Sequence, residues 1–334
     1  MNNERIDWID TLKLLGIFYI YLGHLGKDAG KLYPFVFSFH VPLFFFIAGL
    51  FFKLPNCKME SFRNIKKYFI RIMIPYLIFS IIGILVYAIK WDYPTYRIYD
   101  MSINALLGIR NHVPLASLWF LPCLFIVICY YCIVSMLTKS RMAIFLISIG
   151  FYCTTPYWFN LVSTPIFSSN FALNYLAFFS FGVLISRKVR VDWPSFYEGR
   201  GRPVMVCLLI ICFAYFLYSY QYGTFILIDN IKQTQVRYLL VFILTCIMFI
   251  PSMAIAYWVN IDQLKKMGRN TLVLCGTEQI LKIFVLSFLT MLGVKPTFTD
   301  PLQAVIFTLL CLLVSYFTII KWYESFSFFR KKEY

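Results

Sequence analysis

Charged residues are scarce in this chain, and acidic residues are scarcer than basic ones. Only 14% of the 334 residues are Asp, Glu, Lys or Arg, well below the roughly 25% of ordinary soluble domains. The sequence is also 60% hydrophobic and 20% aromatic, with a mean hydropathy of +0.73. This amount of charge is too small to cover the surface of a soluble domain. The composition therefore excludes a soluble protein and predicts a polytopic membrane protein.

Other common signals are missing as well. The net charge of +16 comes with no nucleic-acid motif and no basic-aromatic repeat, so no nucleic-acid partner is predicted. The N-terminal stretch MNNERIDWID places acids before the first apolar run, so we expect no cleavable signal peptide. The ten cysteines lie mostly inside apolar runs. We interpret them as small core residues and predict no metal cofactor.

Apolar runs of spanning or near-spanning length follow one another along the whole chain. A helix needs about 20 mostly apolar residues to cross a bilayer. The runs lie near residues 9–27, 32–53, 66–90, 116–138, 141–156, 171–186, 204–222, 236–258, 271–293 and 302–323. We therefore predict an all-α transmembrane bundle of about ten helices, forming a single integral-membrane domain over residues 1–334.

Lysine and arginine predict the orientation of the bundle. If the N-terminus is cytoplasmic, the inside loops hold more than twice as many basic residues as the outside loops. This asymmetry satisfies the positive-inside rule and predicts that both termini are cytoplasmic. It also explains the basic excess, because the inside loops face anionic lipid headgroups of the bilayer.

The first apolar segment carries three ionisable residues, Asp10, Lys13 and His24. Lys13 and His24 are eleven positions apart. On a helix this spacing is within about 20° of three full turns, and it corresponds to a rise of roughly 16 Å. Asp10 lies one turn before Lys13, a spacing at which the two side chains can pair. All three therefore share one stripe of the helix. The simpler alternative is that Asp10 and Lys13 are helix-end residues that reach into the headgroups.

Further polar residues interrupt later segments. His40 precedes Pro42, which is expected to kink the second helix in its outer half. Arg71 lies at the cytoplasmic end of the third. Glu278 and Lys282 are four residues apart on the ninth, and we expect them in the inner half with the charged end of the first helix. The alternatives are a buried histidine bonded to a carbonyl and a purely structural ion pair.

The division of these groups between the two sides has a chemical meaning. Basic side chains toward the cytoplasm suit an anionic donor that carries phosphates. Histidine titrates near neutral pH, so imidazoles in the outer half suit the removal of a proton from a hydroxyl group. A long flexible carrier arm would bridge the distance between the two sets. His112, the third histidine, falls in an outer loop and is interpreted as a surface residue.

Several stretches carry a family resemblance. RIDWIDTLKLLGIFYIYLGH and FSFHVPLFFFIAGLFF near the start, then RIMIPY, SLWFLPCLF and GRNTLVL farther along, resemble acyltransferase family 3 of integral membrane proteins. The similarity is greatest to its fucose 4-O-acetylase-like branch. The most specific element is a basic residue followed, after ten intervening positions, by histidine, here Lys13 and His24. The resemblance extends over essentially the whole chain.

The resemblance implies a bacterial inner-membrane enzyme that moves an acyl group, usually acetyl from cytoplasmic acetyl-CoA, to a sugar of an envelope glycan or lipid-linked sugar. On this likeness His24 is the catalytic base or a transient acetyl carrier. His40 and Asp10 assist catalysis, with Asp10 orienting Lys13. The predicted donor-binding residues are Lys13 and Arg71, and the predicted substrate-binding residues are Trp119 and Glu278.

Three positions depart from the family pattern. Leu14 stands where glycine commonly follows the basic residue, Tyr68 replaces the first arginine of an Arg-x-x-Arg pair, and Glu278 replaces a third histidine. The last departure leaves the role of Glu278 open. Two other functions remain as alternatives. One is a transporter or flippase of a lipid-linked glycan, whose intramembrane charges line a passage. The other is an acyl-binding regulatory protein without chemistry.

Overall fold

Helices form the framework of the protein. The computed structural model describes residues 6–161, 164–195, 202–259, 261–294 and 300–325, and these residues contain no strand. In chain order the helices are α1 Asp7–Gly23, α2 Leu32–Phe37, α3 His40–Phe51, α4 Lys58–Tyr68, α5 Ile74–Trp91, α6 Thr95–Leu107, α7 Phe120–Leu137, α8 Arg141–Cys153, α9 Thr155–Trp158, α10 Ser169–Arg187, α11 Trp193–Ser195, α12 Arg202–Tyr222, α13 Thr234–Trp258, α14 Asp262–Arg269, α15 Thr271–Met291, α16 Pro301–Ser315 and α17 Lys321–Ser325.

Eight helical stretches of the described chain are long and apolar enough to cross a membrane. They are Leu32–Phe51, Lys58–Trp91, Ala116–Leu137, Ile166–Asp192, Arg202–Tyr222, Thr234–Trp258, Thr271–Met291 and Pro301–Tyr323. The predicted polytopic helical bundle is confirmed. The first and fifth predicted segments are helices too, but shorter, with 17 residues in α1 and 13 in α8. That both termini face the cytoplasm stays a prediction, as does the single domain over residues 1–334.

Helix α1 is fixed to the rest of the bundle at its first turns. Asp7 lies 3.5 Å from Lys265 and 3.7 Å from Arg269 of α14, and Arg269 also lies 3.6 Å from Asp10. Gly268 packs against the backbone of Asp10 so closely that a β-carbon there would overlap it. The start of α1 and the α14 segment are therefore level with each other, and this sets the height of every residue farther along α1.

The second spanning segment is broken at Ser38 and Phe39, four residues before Pro42. Proline has no N–H to donate, and its ring clashes with the carbonyl of the residue four positions earlier. That residue is Ser38, whose freed carbonyl accepts a hydrogen bond from the Thr245 hydroxyl at 3.5 Å. At the position of the expected kink, two residues interrupt the helix, and α3 begins at His40.

Helices α3 and α10 approach each other through two glycines. A β-carbon at Gly49 would overlap the carbonyl of Phe179, and one at Gly182 would overlap the carbonyl of Phe46. Small residues at such crossings allow helix backbones to pack closely in membranes. This crossing holds α3, and with it His40, against the middle of the bundle.

We expect Gly49→Ala to lower the free energy of unfolding of the purified protein by about 1–3 kcal/mol, because the added methyl group forces two backbones apart. Gly150→Ala is the matched control, since nothing lies within 4 Å of that β-carbon position in α8. Alanine there should be neutral or slightly stabilising. The measurement is the unfolding midpoint in detergent, and equal midpoints for the two variants would contradict the close crossing.

Candidate active site

His24 ends helix α1 and is held by an acid from a distant part of the chain. Its Nδ1 lies 2.7 Å from Oε2 of Glu278. A carboxylate only accepts hydrogen bonds, so Nδ1 carries the proton and Nε2 keeps its lone pair. Nε2 has no hydrogen-bond partner among the described residues, and 16% of the side chain is exposed. The carboxylate therefore fixes the orientation of the imidazole through Nδ1, and the Nε2 side of the ring has no protein partner among these residues.

Glu278 lies between two partners. Its second oxygen, Oε1, accepts from Nζ of Lys282 at 2.6 Å, and the same Nζ donates to the carbonyl of Tyr21 at 2.7 Å. The Glu278 side chain is completely buried and that of Lys282 almost so. With a neutral imidazole at His24, the two opposite charges of this pair cancel. The structure thus links His24, Glu278 and Lys282 into one polar chain between α1 and α15.

The expected position of Glu278 in the inner half with Asp10 and Lys13 is wrong. Helix α15 begins at Thr271, just beyond the α14 segment that is level with Asp10. The side chain of Glu278, about two turns farther along α15, reaches His24 at the end of α1. Being fully buried behind His24, it has no exposed surface to offer a substrate.

His40 lies on the other side of the same space. Its Nδ1 donates to the carbonyl of Val36 at 2.7 Å, a carbonyl of the last turn of α2 that also accepts from the Phe39 N–H at 3.2 Å. His40 therefore also keeps an Nε2 lone pair. It is 2% exposed, and the ring of Phe37 contacts it edge-on at 4.8 Å between centroids.

The two histidines face one small cavity, which we call the histidine chamber. Its volume is about 30 Å³. Its lining residues are Ile20, His24, Phe37, His40, Val41, Phe44, Arg110, Ser117, Trp119 and Phe120. Trp119, predicted to bind substrate, is thus placed at the chamber, whereas His112 is an exposed loop residue. The structure thus brings His24 and His40, from two different helices, to the same cavity.

A second and larger cavity follows the same face of α1 toward its N-terminal end. It measures about 370 Å³ and contains the side chains of Lys13 and Arg71, within the range of roughly 300–1,000 Å³ that ligand sites occupy. We call it the basic cavity. Ile20, Phe44 and Phe120 line both cavities, and the rings of Phe44 and Phe120 meet edge-on at 5.6 Å. These residues therefore lie between the two cavities.

Asp10 does not accompany the histidines. It is buried at the start of α1, where its Oδ1 accepts from Nζ of Lys13 at 3.0 Å. His24 is fourteen residues farther along, roughly 21 Å by helical rise. Asp10 therefore does not contact the two histidines, and its part in catalysis stays a prediction. Its expected pairing with Lys13 is present.

Sequence reasoning missed two arginines at these cavities. Arg110 lines the histidine chamber, and Arg190 lies 5.0 Å above the Phe51 ring, which lines the basic cavity. Both were counted only as loop charges for membrane orientation. Such a count does not distinguish an arginine in solvent from one that folds back onto aromatic rings. No signal in the local sequence separates the two cases.

A third cavity, of about 770 Å³, is lined almost entirely by apolar side chains. It lies between α1, α13 and α16 on the face of α1 opposite to Lys13 and His24, and its walls are apolar. A groove of this composition suits lipid chains. Among the described residues, no group of three or more His, Cys, Asp or Glu side chains could hold a metal ion.

Comparison with known proteins gives one finding. The model of a protein family described as an acyltransferase domain matches residues 6–320, nearly the whole chain. No curated protein and no solved structure shows a match. The matched range includes both cavities and every residue that lines them.

Proposed function

The chain belongs to acyltransferase family 3, and from this membership and the two cavities we propose that it is a membrane O-acetyltransferase. It would move an acetyl group from cytoplasmic acetyl-CoA to a hydroxyl group of a cell-envelope sugar, in an inner (plasma) membrane. That it acts on an exopolysaccharide, O-antigen or capsule unit, and that it lies in the fucose 4-O-acetylase-like branch, are parts of the same prediction.

One observation carries the proposal. The Nδ1 of His24 lies 2.7 Å from a buried carboxylate, and the imidazole lines a cavity. A neutral imidazole that donates from Nδ1 keeps a lone pair at Nε2. A histidine oriented in this way is suited to take a proton from a hydroxyl group, and the carboxylate stabilises the imidazolium that forms. Glu278 is then a positioning residue that acts through His24, and Lys282 keeps Glu278 ionised in the bundle interior.

The basic cavity suits the acyl donor. Lys13 is held at its wall by Asp10, and Arg71 has no acidic partner among the described residues. Phosphates of a nucleotide-linked thioester would bind to these cations, and Arg190 adds a third positive charge nearby. Between Lys13 and His24 lies a rise of roughly 16 Å along α1, which the flexible arm of the donor would span past Phe44 and Phe120.

The transfer step then follows from the positions of these groups. His24 Nε2 takes the proton of the acceptor hydroxyl as the hydroxyl oxygen bonds to the acyl carbon. The carbonyl electron pair moves onto its oxygen and returns as the carbon–sulfur bond breaks. The leaving thiolate takes the proton back from His24. A ternary arrangement of this kind needs no acetyl-histidine intermediate, although Nε2 is equally placed to form one.

The function is tested with isolated membranes that contain or lack the native protein, supplied with acetyl-CoA labelled in the acetyl group. We expect label in envelope glycan only when the protein is present. A protein-dependent crossing of lipid-linked glycan without any incorporation of label would instead support a transporter. Label that enters glycan equally in both membranes would contradict the proposal.

Lys13→Met should raise the KM for acetyl-CoA about 10- to 100-fold with little change in kcat. The loss of one charged hydrogen bond to phosphate is worth about 1.5–3 kcal/mol, and that bond is the same in the bound and transition states. Methionine keeps an unbranched stem against the Phe51 ring, which Lys13 covers at 5.3 Å. Lys58→Met, at an exposed lysine of α4, is the control. A selective fall in kcat would contradict a role in donor binding.

A further inference from the structure

Arg110 is held in an unusual way at the wall of the histidine chamber. It lies in the loop between α6 and the turn that carries Trp119. Its guanidinium carbon is 4.2 Å from the ring centre of Trp119 and 3.9 Å from that of Phe171. Contact with aromatic rings stabilises the cation without using its N–H donors. The donors at the edge of the guanidinium group therefore stay available.

Apart from the two aromatic rings, no group among the described residues pairs with this charge. Arg110 makes no ion pair among the described residues, and its Nε is buried without a hydrogen-bond partner. Such groups are rare in folded proteins and call for a specific reason. The Glu278–Lys282 pair is already neutral as a unit. Arg110 thus leaves the chamber with a net positive charge while both histidines are neutral.

The other polar groups that line the chamber are poorly suited to bind a negative charge. His24 and His40 each use Nδ1–H elsewhere, and each presents a lone pair at Nε2. The Ser117 hydroxyl donates to the carbonyl of Cys275 at 2.8 Å. Trp119 has one uncharged N–H. Arg110 is the only permanently charged donor that faces the chamber from the described part of the chain.

We propose that Arg110 is a catalytic residue that donates hydrogen bonds to the oxyanion formed when the acceptor hydroxyl attacks the acyl carbonyl. The inference rests on the proposed acyl transfer. A neutral His40 is not suited to this role, because an Nε2 lone pair repels such an oxygen. His40 instead accepts a hydrogen bond from the acceptor or from water. No atom is transferred to Arg110, which stabilises the charge until the carbon–sulfur bond breaks.

The test uses the purified full-length protein in lipid nanodiscs with acetyl-CoA and no added acceptor, so that water takes the place of the sugar. Release of free CoA thiol reports the same oxyanion without requiring the acceptor to be known. Arg110→Gln should lower kcat about 100- to 1,000-fold, the usual effect of losing one oxyanion donor. KM should change less than threefold. Arg110→Lys keeps the positive charge but not the planar fork of donors, so it should recover only part of the rate that Arg110→Gln loses.

The matched control is Arg97→Gln. Arg97 is an exposed arginine of the neighbouring helix α6 that also stacks on an aromatic ring, that of Tyr93 at 4.9 Å, but it does not line the chamber. Its replacement should leave kcat unchanged. The unfolding midpoint of each variant shows whether a lost rate reflects lost structure. The Arg110→Lys variant tests the effect of the charge, because a cation still lies against the aromatic rings.

Three results would overturn the assignment. Unchanged thiol release by Arg110→Gln, with impaired transfer to glycan alone, would make Arg110 a residue that recognises the acceptor. An equal loss in Arg97→Gln would make the effect non-local. A native protein that releases thiol from neither acetyl-CoA nor succinyl-CoA, and incorporates neither acyl group into glycan, would overturn the acyltransferase proposal itself. That outcome is distinct, because it appears before any substitution is made.

Discussion

Membranes that contain the His24→Ala variant are expected to incorporate label from acetyl-CoA at a rate about 100- to 10,000-fold below that of the native protein. That range is the usual contribution of a positioned general base. The substitution removes the only histidine of the described chain whose Nδ1 is hydrogen-bonded to a carboxylate. We expect kcat to fall far more than KM rises, because the proton transfer belongs to the transition state.

The control for this experiment is His112→Ala, since His112 is the exposed third histidine of the chain. It should transfer at the native rate. His24→Gln is a second variant that keeps an amide N–H for Glu278, so that loss of activity is not confused with loss of the polar chain. Native rates in either His24 variant, at matched expression, would show that the histidine chamber is not the site of chemistry.

Glu278→Gln is expected to have the second-largest effect, on both activity and stability. Without the carboxylate, His24 is free to adopt the wrong tautomer and its imidazolium is not stabilised, so kcat should fall about 100- to 10,000-fold. The substitution also leaves Lys282 buried without a counter-charge. That change should cost about 3–5 kcal/mol of stability.

The double variant Glu278→Gln/Lys282→Met separates the two effects. It removes both charges, so the unfolding midpoint in detergent should recover most of what Glu278→Gln loses. Activity should not recover, because His24 still lacks its carboxylate. If transfer returns together with stability, Glu278 and Lys282 are a structural ion pair only. That was the alternative that their spacing in the sequence left open.

Much of the architecture follows from composition and local pattern. The structure forms helices over all ten predicted segments, and eight of the helical stretches are long apolar spans. A run of about 20 apolar residues has few options, because a backbone in lipid must satisfy its hydrogen bonds within one helix. The family could also be recognised from short stretches such as TLKLLGIFYIYLGH, because Lys13 and His24 lie on one continuous helix, where spacing fixes geometry.

The break before α3 shows where local reasoning is incomplete. The sequence predicts a disturbance at Pro42, and the steric rule for proline places it four residues earlier. Whether the chain bends or breaks there depends on which group donates a hydrogen bond to the Ser38 carbonyl, which has lost its helical partner. In this protein the Thr245 hydroxyl of α13 does so. That partner is remote in sequence, and its position is set by the packing of the bundle.

The sequence by itself determined the membrane class, the approximate spans, the family, and the placement of Lys13 and His24 along one stripe of α1. Only the tertiary structure decided that Glu278 lies behind His24, that Asp10 lies far from it, and that Arg110 faces the chamber. His24 and Glu278 are 254 residues apart, so their contact depends on how α14 aligns the starts of α1 and α15. Local periodicity describes one helix, whereas a site between helices depends on their relative heights and rotations, which close packing at Gly268, Gly49 and Gly182 fixes.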